Sequence, residues 1–247
     1  MSTESRTDAF DPAGAVGRQL VQILRQRIIE NEMPPGERVS EAEIASRFGV
    51  SRQPVREAFI KLSEEGLVEI RPQRGTFVRK ISLRAVEDAR FIREAIEGDL
   101  ARILASHPDA GVLDELQRQL AEQERLSQSS STQEDRTEFL RLDDLFHRTL
   151  ANAAGRRHLW QILDGVKSQM DRVRYLTTQS LEIGRLVAQH AAVVAAIGAG
   201  DAAAAETAMR RHLRTILKDL EVHRARNPDI FDGLEVDLSG MPRVILE

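Results

Sequence analysis

The sequence predicts a mainly α protein: an N-terminal winged helix-turn-helix followed by an all-helical bundle. Three observations carry that prediction. Apolar residues recur at helical spacing through most of the 247 residues, with only 15 Gly and 8 Pro to interrupt them. The stretch "SRFGVSRQPVREAF", 46–59, places a Gly between two short apolar-faced segments, the second of which opens with arginines. Shortly after it, "LVEI" and "TFV" flank the turn "RPQRG", which reads as a two-strand hairpin.

From the start, residues 1–15 read as a disordered polar lead. "VGRQLVQILRQRIIE", Val16 to Glu30, is apolar at Leu20, Ile23, Leu24, Ile28 and Ile29, and is expected to be helical. Pro34-Pro35-Gly36 stops it, because proline lacks an N–H and clashes with the preceding turn. Ser40, with Glu43 three residues on, has the pattern of a capping box and starts a second helix. Gly49 closes that helix. Ser51 is the next cap candidate, for a third helix ending near Glu65 with Gly66 as its stop. Beyond Ser82 six helical segments are expected, at 83–107, 109–128, 132–154, 156–179, 182–199 and 201–225. The final segment, 227–247, lacks helical period and is read only as a tail. The expected domains are therefore 16–80, the winged helix-turn-helix, and 81–226, the helical bundle.

Composition narrows the function classes. Hydrophobic content of 41% supports a core, and the absence of Cys excludes disulfides and thiolate metal sites. No apolar run approaches the ~20 residues of a membrane span, and no secretory leader is visible at the start, so cytoplasmic residence is expected. The net charge of −4 argues against a polyanion partner until its distribution is considered. Residues 16–80 hold twelve Lys and Arg against nine Asp and Glu, so the basic excess lies in the head and the acidic excess in the remainder of the chain.

In the third helix Val55, Phe59 and Leu62 mark the buried face, leaving Arg52, Gln53 and Arg56 outward. Arg reaches guanine O6 and N7 bidentately, and Gln suits adenine N6 and N7. The helix N-terminus at Ser51 adds backbone donors for phosphate. Arg47 and Lys61 are candidates for phosphate contacts, and Arg74 and Gly75 at the hairpin tip for the DNA backbone or minor groove. Cap, tight turn, arginine-led helix and basic hairpin tip together point to double-stranded DNA. "PPGERVSEAEIASRFGVSRQPVREAFIKLSEEGLVEIRPQRGTFV" resembles the winged-helix head of GntR-type transcriptional regulators, with the "SRxPVREA" element at Ser51–Ala58. The resemblance implies DNA contacts from Arg52, Gln53, Arg56 and Gly75. The chain has Ala42 where some members carry a basic residue.

In the bundle four ionisable residues interrupt apolar stripes. Asp143 and His147 lie one turn apart in "FLRLDDLFHRTL"; His190 falls in "RLVAQHAAVVAAI" and His212 in "AMRRHLRTI". Burying three imidazoles and a carboxylate without a shared partner is costly, and a divalent metal is such a partner. A set of one Asp and three His without Cys suits Zn²⁺ or Ni²⁺, with Mn²⁺ or Fe²⁺ as alternatives. Arg93 and Arg174 are candidates to attract a carboxylate effector, Arg93 alternatively forming a surface ion pair with Glu97. This half is similar to the effector domain (FCD) of the FadR branch of the same family. That resemblance implies a homodimer on palindromic operators, a metal at Asp143, His147, His190 and His212, and a small organic or sugar acid beside it. The chain has Arg156 where many members have Asn. The expected function is a ligand-responsive transcriptional regulator, a repressor, and not an enzyme. The alternatives are the same head with a purely structural metal, or a metal-dependent enzyme, for which no nucleophile or HExxH-like motif is present.

Overall fold

The computed structural model describes residues 15–129, 132–177 and 182–232, together with the backbone but not the side chains of 218 and 219. The expected disordered lead (1–14), the break at 130–131, the end of the fourth bundle segment (178–179) and the tail from 233 lie outside the described residues.

The head opens with α1, Val16–Ile29, and a two-residue strand β1, Arg38–Val39. Helix α2, Glu41–Phe48, begins where Ser40 Oγ accepts the Glu43 N–H at 3.4 Å. Gly49 ends it in the left-handed region (φ 64°), which glycine adopts without a Cβ clash. Only three residues then separate α2 from α3, Arg52–Glu64. Leu20, Leu24 and Ile28 of α1 form one core with Ile44, Val55, Phe59 and Leu62, which leaves the other side of α3 to solvent. Ser51 precedes α3 but makes no side-chain cap hydrogen bond, contrary to its expected capping role.

The expected hairpin is present as β2, Val68–Arg71, and β3, Gly75–Val78, and it is part of a larger sheet. The antiparallel order is β1-β3-β2, with Phe77 opposite Arg38 on one side and Glu69 on the other. Strand β1 escaped the sequence reading because two residues carry no readable alternation.

The body begins with β4, Ile81–Ser82, and α4, Leu83–Ser106. It continues through α5, Ala110–Ser129, and α6, Gln133–Ala153. Thr132 and Asp135 form a reciprocal capping box that fixes the start of α6. The single helix expected at 156–179 is two: α7, Arg157–Val166, and α8, Ser168–Leu176. Lys167, at φ −81° and ψ −4°, interrupts the helix, and its ammonium turns to Asp171 at 2.6 Å, Asp144 at 2.9 Å and Asp164 at 3.5 Å. Helices α9, Ile183–Gly198, and α10, Ala202–Arg226, complete the bundle, with α10 packed along α4 and α9. The start of the unassigned tail has structure: a 3₁₀ turn at Pro228–Ile230 leads into β5, Phe231–Asp232, which pairs in parallel with β4.

Candidate metal centre and nucleic-acid face

Helix α6 carries Asp143 and His147 one turn apart, α9 supplies His190, and α10 supplies His212. All four are buried, and their ligand atoms lie within 4.8 Å of one another. The Nε2 atom of His212 lies 3.1 Å from that of His147 and 3.2 Å from that of His190. The Asp143 carboxylate closes the group, 3.7 Å from His147 Nε2 and 3.5 Å from His190 Nε2. Phe146 stacks on the His190 ring with centroids 4.2 Å apart, fixing its plane.

Behind each ring stands an oxygen. His147 Nδ1 lies 2.5 Å from Glu97 Oε2, His190 Nδ1 2.7 Å from Gln123 Oε1, and His212 Nδ1 3.2 Å from Gln189 Oε1. A neutral imidazole has one N–H, and these acceptors draw it to Nδ1, although the close approach of His147 to Glu97 lacks hydrogen-bond geometry. Three Nε2 lone pairs and a carboxylate then converge with no proton to share. Both Asp143 oxygens are buried without a hydrogen bond; Oδ2 is ion-paired with Arg174, while Oδ1 faces His190 Nε2, an arrangement that a divalent ion relieves.

The charges are set accordingly. Burial pushes His190 down to about 3, against the pull of Asp143, and burial likewise holds His212 well below the ordinary imidazole range. Burial alone would raise Asp143, yet Arg174 and the imidazoles outweigh it and hold the carboxyl well below its usual range. Glu97 is similarly opposed by burial, but Arg93 and His147 bring it down to about 2. Neutral imidazoles beside ionised carboxylates are the protonation states that metal binding requires. The donors, one oxygen and three nitrogens, fit a divalent ion such as Zn²⁺ or Ni²⁺.

The two arginines flank this centre. Arg174 pairs with Asp143, and Arg93 Nε donates to Glu97 Oε1 at 2.6 Å. The Arg93–Glu97 pair is buried rather than on the surface, because α4 turns this face into the bundle. Both arginines, with Met170, Thr177, His212 and Thr215, line a cavity of about 30 Å³, room for one or two waters.

In the head, Arg47, Ser51, Arg52, Gln53, Arg56, Lys61 and Arg74 are exposed, and Gly75 is half-buried. Several are engaged within the chain: Arg56 with Glu41 at 3.1 Å, Gln53 with Glu57 at 2.9 Å, and Lys61 with Glu64 at 3.1 Å. These exposed pairs are weak, so phosphate or base edges can displace them. Gly75 sits at φ +111°, and a Cβ there would lie 2.9 Å from Arg38 Nε. Its lack of a side chain thus makes room for Arg38, a basic residue at the wing that the sequence reading passed over. Gln123 and Gln189 were also missed, and Glu97 was noticed only as an ion-pair partner of Arg93. The glutamines' signal was a polar residue on a helix of the bundle, as for the histidines, but without metal-ligand chemistry to draw notice.

Comparison with known proteins agrees with this division. Residues 17–78 match the bacterial regulatory proteins of the gntR family, and residues 88–215 match the FCD domain. The HTH-type transcriptional repressor RspR of Escherichia coli (strain K12) is 39% identical over 223 residues, covering 90% of this chain and 96% of that protein. Among solved structures, E. coli McbR/YncC superposes with a TM-score of 0.70 at 18% identity, covering 85% of this chain and 99% of its own, a likeness of fold. A GntR transcriptional regulator from Rhodococcus sp. RHA1 gives 0.64 at 25% identity, covering 83% and 97%.

Proposed function

This chain belongs to the gntR family of bacterial regulatory proteins, carries an FCD domain and is a DNA-binding transcriptional regulator; from that premise we propose a ligand-responsive repressor whose operator affinity is set at its metal centre. Asp143, His147, His190 and His212 hold a divalent ion, Zn²⁺ or Ni²⁺, and a small carboxylate or sugar acid binds beside it. The convergence of three Nε2 atoms on a buried, ionised carboxylate is the observation that carries this reading. A bound divalent ion supplies a positive anchor for a carboxylate oxygen. Arg93 and Arg174 line the adjoining cavity and add positive charge on the approach to it.

The head reads DNA through Arg52, Gln53 and Arg56 on α3, with Ser51 at the helix start. Arg47 and Lys61 take phosphates, and Arg74 and Gly75 follow the backbone at the wing. Two copies of the chain form a homodimer, so two heads meet two half-sites of a palindromic operator. The effector acts by preferring one arrangement of the body, which changes operator affinity by that difference, commonly ~1–3 kcal/mol. RspR is described as a repressor, and that supports the same sign here.

The test starts by selecting the operator from random duplexes with the full-length protein. Its affinity is then measured with Zn²⁺ or Ni²⁺ and a panel of small carboxylates and sugar acids. At least one acid is expected to weaken binding by ~5–150-fold in the metal-loaded protein and not in His190→Ala. Arg52→Ala is expected to lose the operator while leaving the melting temperature unchanged. An acid that acts equally on metal-stripped protein would overturn the anchoring role. Metal that stabilises the fold while no acid changes the operator affinity would leave the ion structural.

A further inference from the structure

We propose that α8 is the element that couples the metal centre to the DNA-binding head, with Arg172 and Gln169 as the positioning residues that fasten it there. The inference rests on the metal reading above and specifies how the body's state reaches the head.

Among the described residues the two halves share no apolar core. The head cluster draws its buried residues from Leu20 to Val78, and the body clusters draw theirs from Ile81 onward. The seam described between them is polar, and α8 supplies much of it. Gln169 Nε2 donates to the carbonyl of Gly66 at 2.8 Å, and Arg172 Nη2 donates to the carbonyl of Arg79 at 2.8 Å. Arg172 Nη1 also donates to Gln169 Oε1 at 3.2 Å, joining the two ties. Gly66 is the residue at which the chain leaves α3, and Arg79 directly follows β3. One helix thus grips the end of the DNA-reading helix and the exit of the wing. Its acceptors are main-chain atoms that move only if those elements move.

The opposite side of α8 faces the metal centre. Arg174 pairs with Asp143, and Met170 Sδ lies 3.9 Å from Arg93 Nη1 in the lining of the small cavity. Met170 and Arg174, both of α8, line the small cavity beside the centre, so a ligand that enters it meets this helix. A metal ion competes with Arg174 for Asp143 and loads the same helix. Nine residues long, α8 is short enough to tilt as one piece.

Arg172 has a further peculiarity. It is 2% exposed, and among the described residues no carboxylate lies in ion-pair range. Burial alone lowers its pKa, to about 10. A buried guanidinium without a counter-charge stabilises a fold less than an apolar side chain of its size. What it provides is a donor directed across the seam.

Hydrogen exchange of the full-length protein, apo and with Zn²⁺ alone, tests the coupling. In wild type, Zn²⁺ is expected to slow exchange in α6, α9 and α10 and to change it in head segments 62–68 and 76–80. In Arg172→Met the bundle response should persist while the head response is lost. Gln169→Ala should silence 62–68 and spare 76–80, which gives an independent reading should Arg172→Met not fold. A head response undiminished in both variants overturns the coupling and leaves the metal site standing. A wild-type protein with no response to Zn²⁺ anywhere overturns the metal reading, and the coupling with it. A lowered melting temperature with the head response intact would mark Arg172 as structural only, and also overturns the proposal.

Discussion

At the scale of single residues, the centre is organised in pairs: each imidazole offers Nε2 inward because something else takes Nδ1. For His147 that partner is Glu97, itself held by Arg93. Replacing Glu97 by Gln keeps the size and removes the charge, and metal affinity should fall by roughly 10–100-fold, read by competition with a chelator. Unchanged affinity would mean that ring orientation is fixed by packing alone. The titrating groups also predict acid sensitivity of the apo protein. His190 takes up its proton near 3 in the fold but near ~6.5 when unfolded, so the unfolded chain binds protons first as pH falls. Stability from this group is present above about 6.5 and is lost progressively down to about 3. Glu97, lowered to about 2, adds a loss as pH falls through the ordinary carboxylate range. Melting temperatures at pH 8, 6 and 4.5 should therefore decline in that order; a flat profile would contradict the buried neutral imidazoles. Sequence alone brought Asp143, His147, His190 and His212 to notice because each breaks an apolar helical stripe. It did not bring out Gln123 or Gln189, since an amide on a helix has no chemistry that distinguishes a ring's support from a solvated face.

At the scale of elements, the helices were legible where a glycine or proline ended them. Gly49, Gly66, Gly155 and Gly200 all take positive φ near helix ends, as such stops require. The break between α7 and α8 was not legible: it falls at Lys167, whose pairs with Asp164 and Asp171 have the three- and four-residue spacing of an unbroken helix. Strands of two residues were equally silent. Yet β5 matters: Phe231 is 2% exposed in a cluster with Ile81, Leu83, Val86 and Leu220. Phe231→Ala should destabilise the body by ~3–5 kcal/mol, the usual effect of emptying a buried aromatic site, measured by denaturant unfolding. A loss below about 1 kcal/mol would show that this tail packs without contributing to the core. On the DNA side, Glu41 holds Arg56 in the free protein. Glu41→Gln should raise operator affinity by up to about fivefold, the range of an exposed ion pair, and a fall would assign Glu41 a role in aiming Arg56.

At the scale of the whole molecule, a basic-leaning head and a body of nearly balanced charge are joined through a polar seam with separate cores on either side. Such a joint can change angle without breaking a hydrophobic core, which is what a regulator needs if a ligand in one half is to alter DNA reading in the other. Among the described residues no helix is long and apolar enough to cross a membrane. Sedimentation at micromolar concentration should give twice the chain mass, the homodimer that a two-fold operator requires, and a monomer there would contradict the two-head reading. Control at this site requires that Asp143 and the three histidines bind a divalent ion. Crystals grown with Zn²⁺ and measured across its absorption edge test that binding. The expected result is one anomalous peak about 2.0–2.2 Å from Nε2 of His147, His190 and His212 and from an Asp143 oxygen. A map with no peak among these four residues, at Zn²⁺ concentrations that load other such sites, would contradict it.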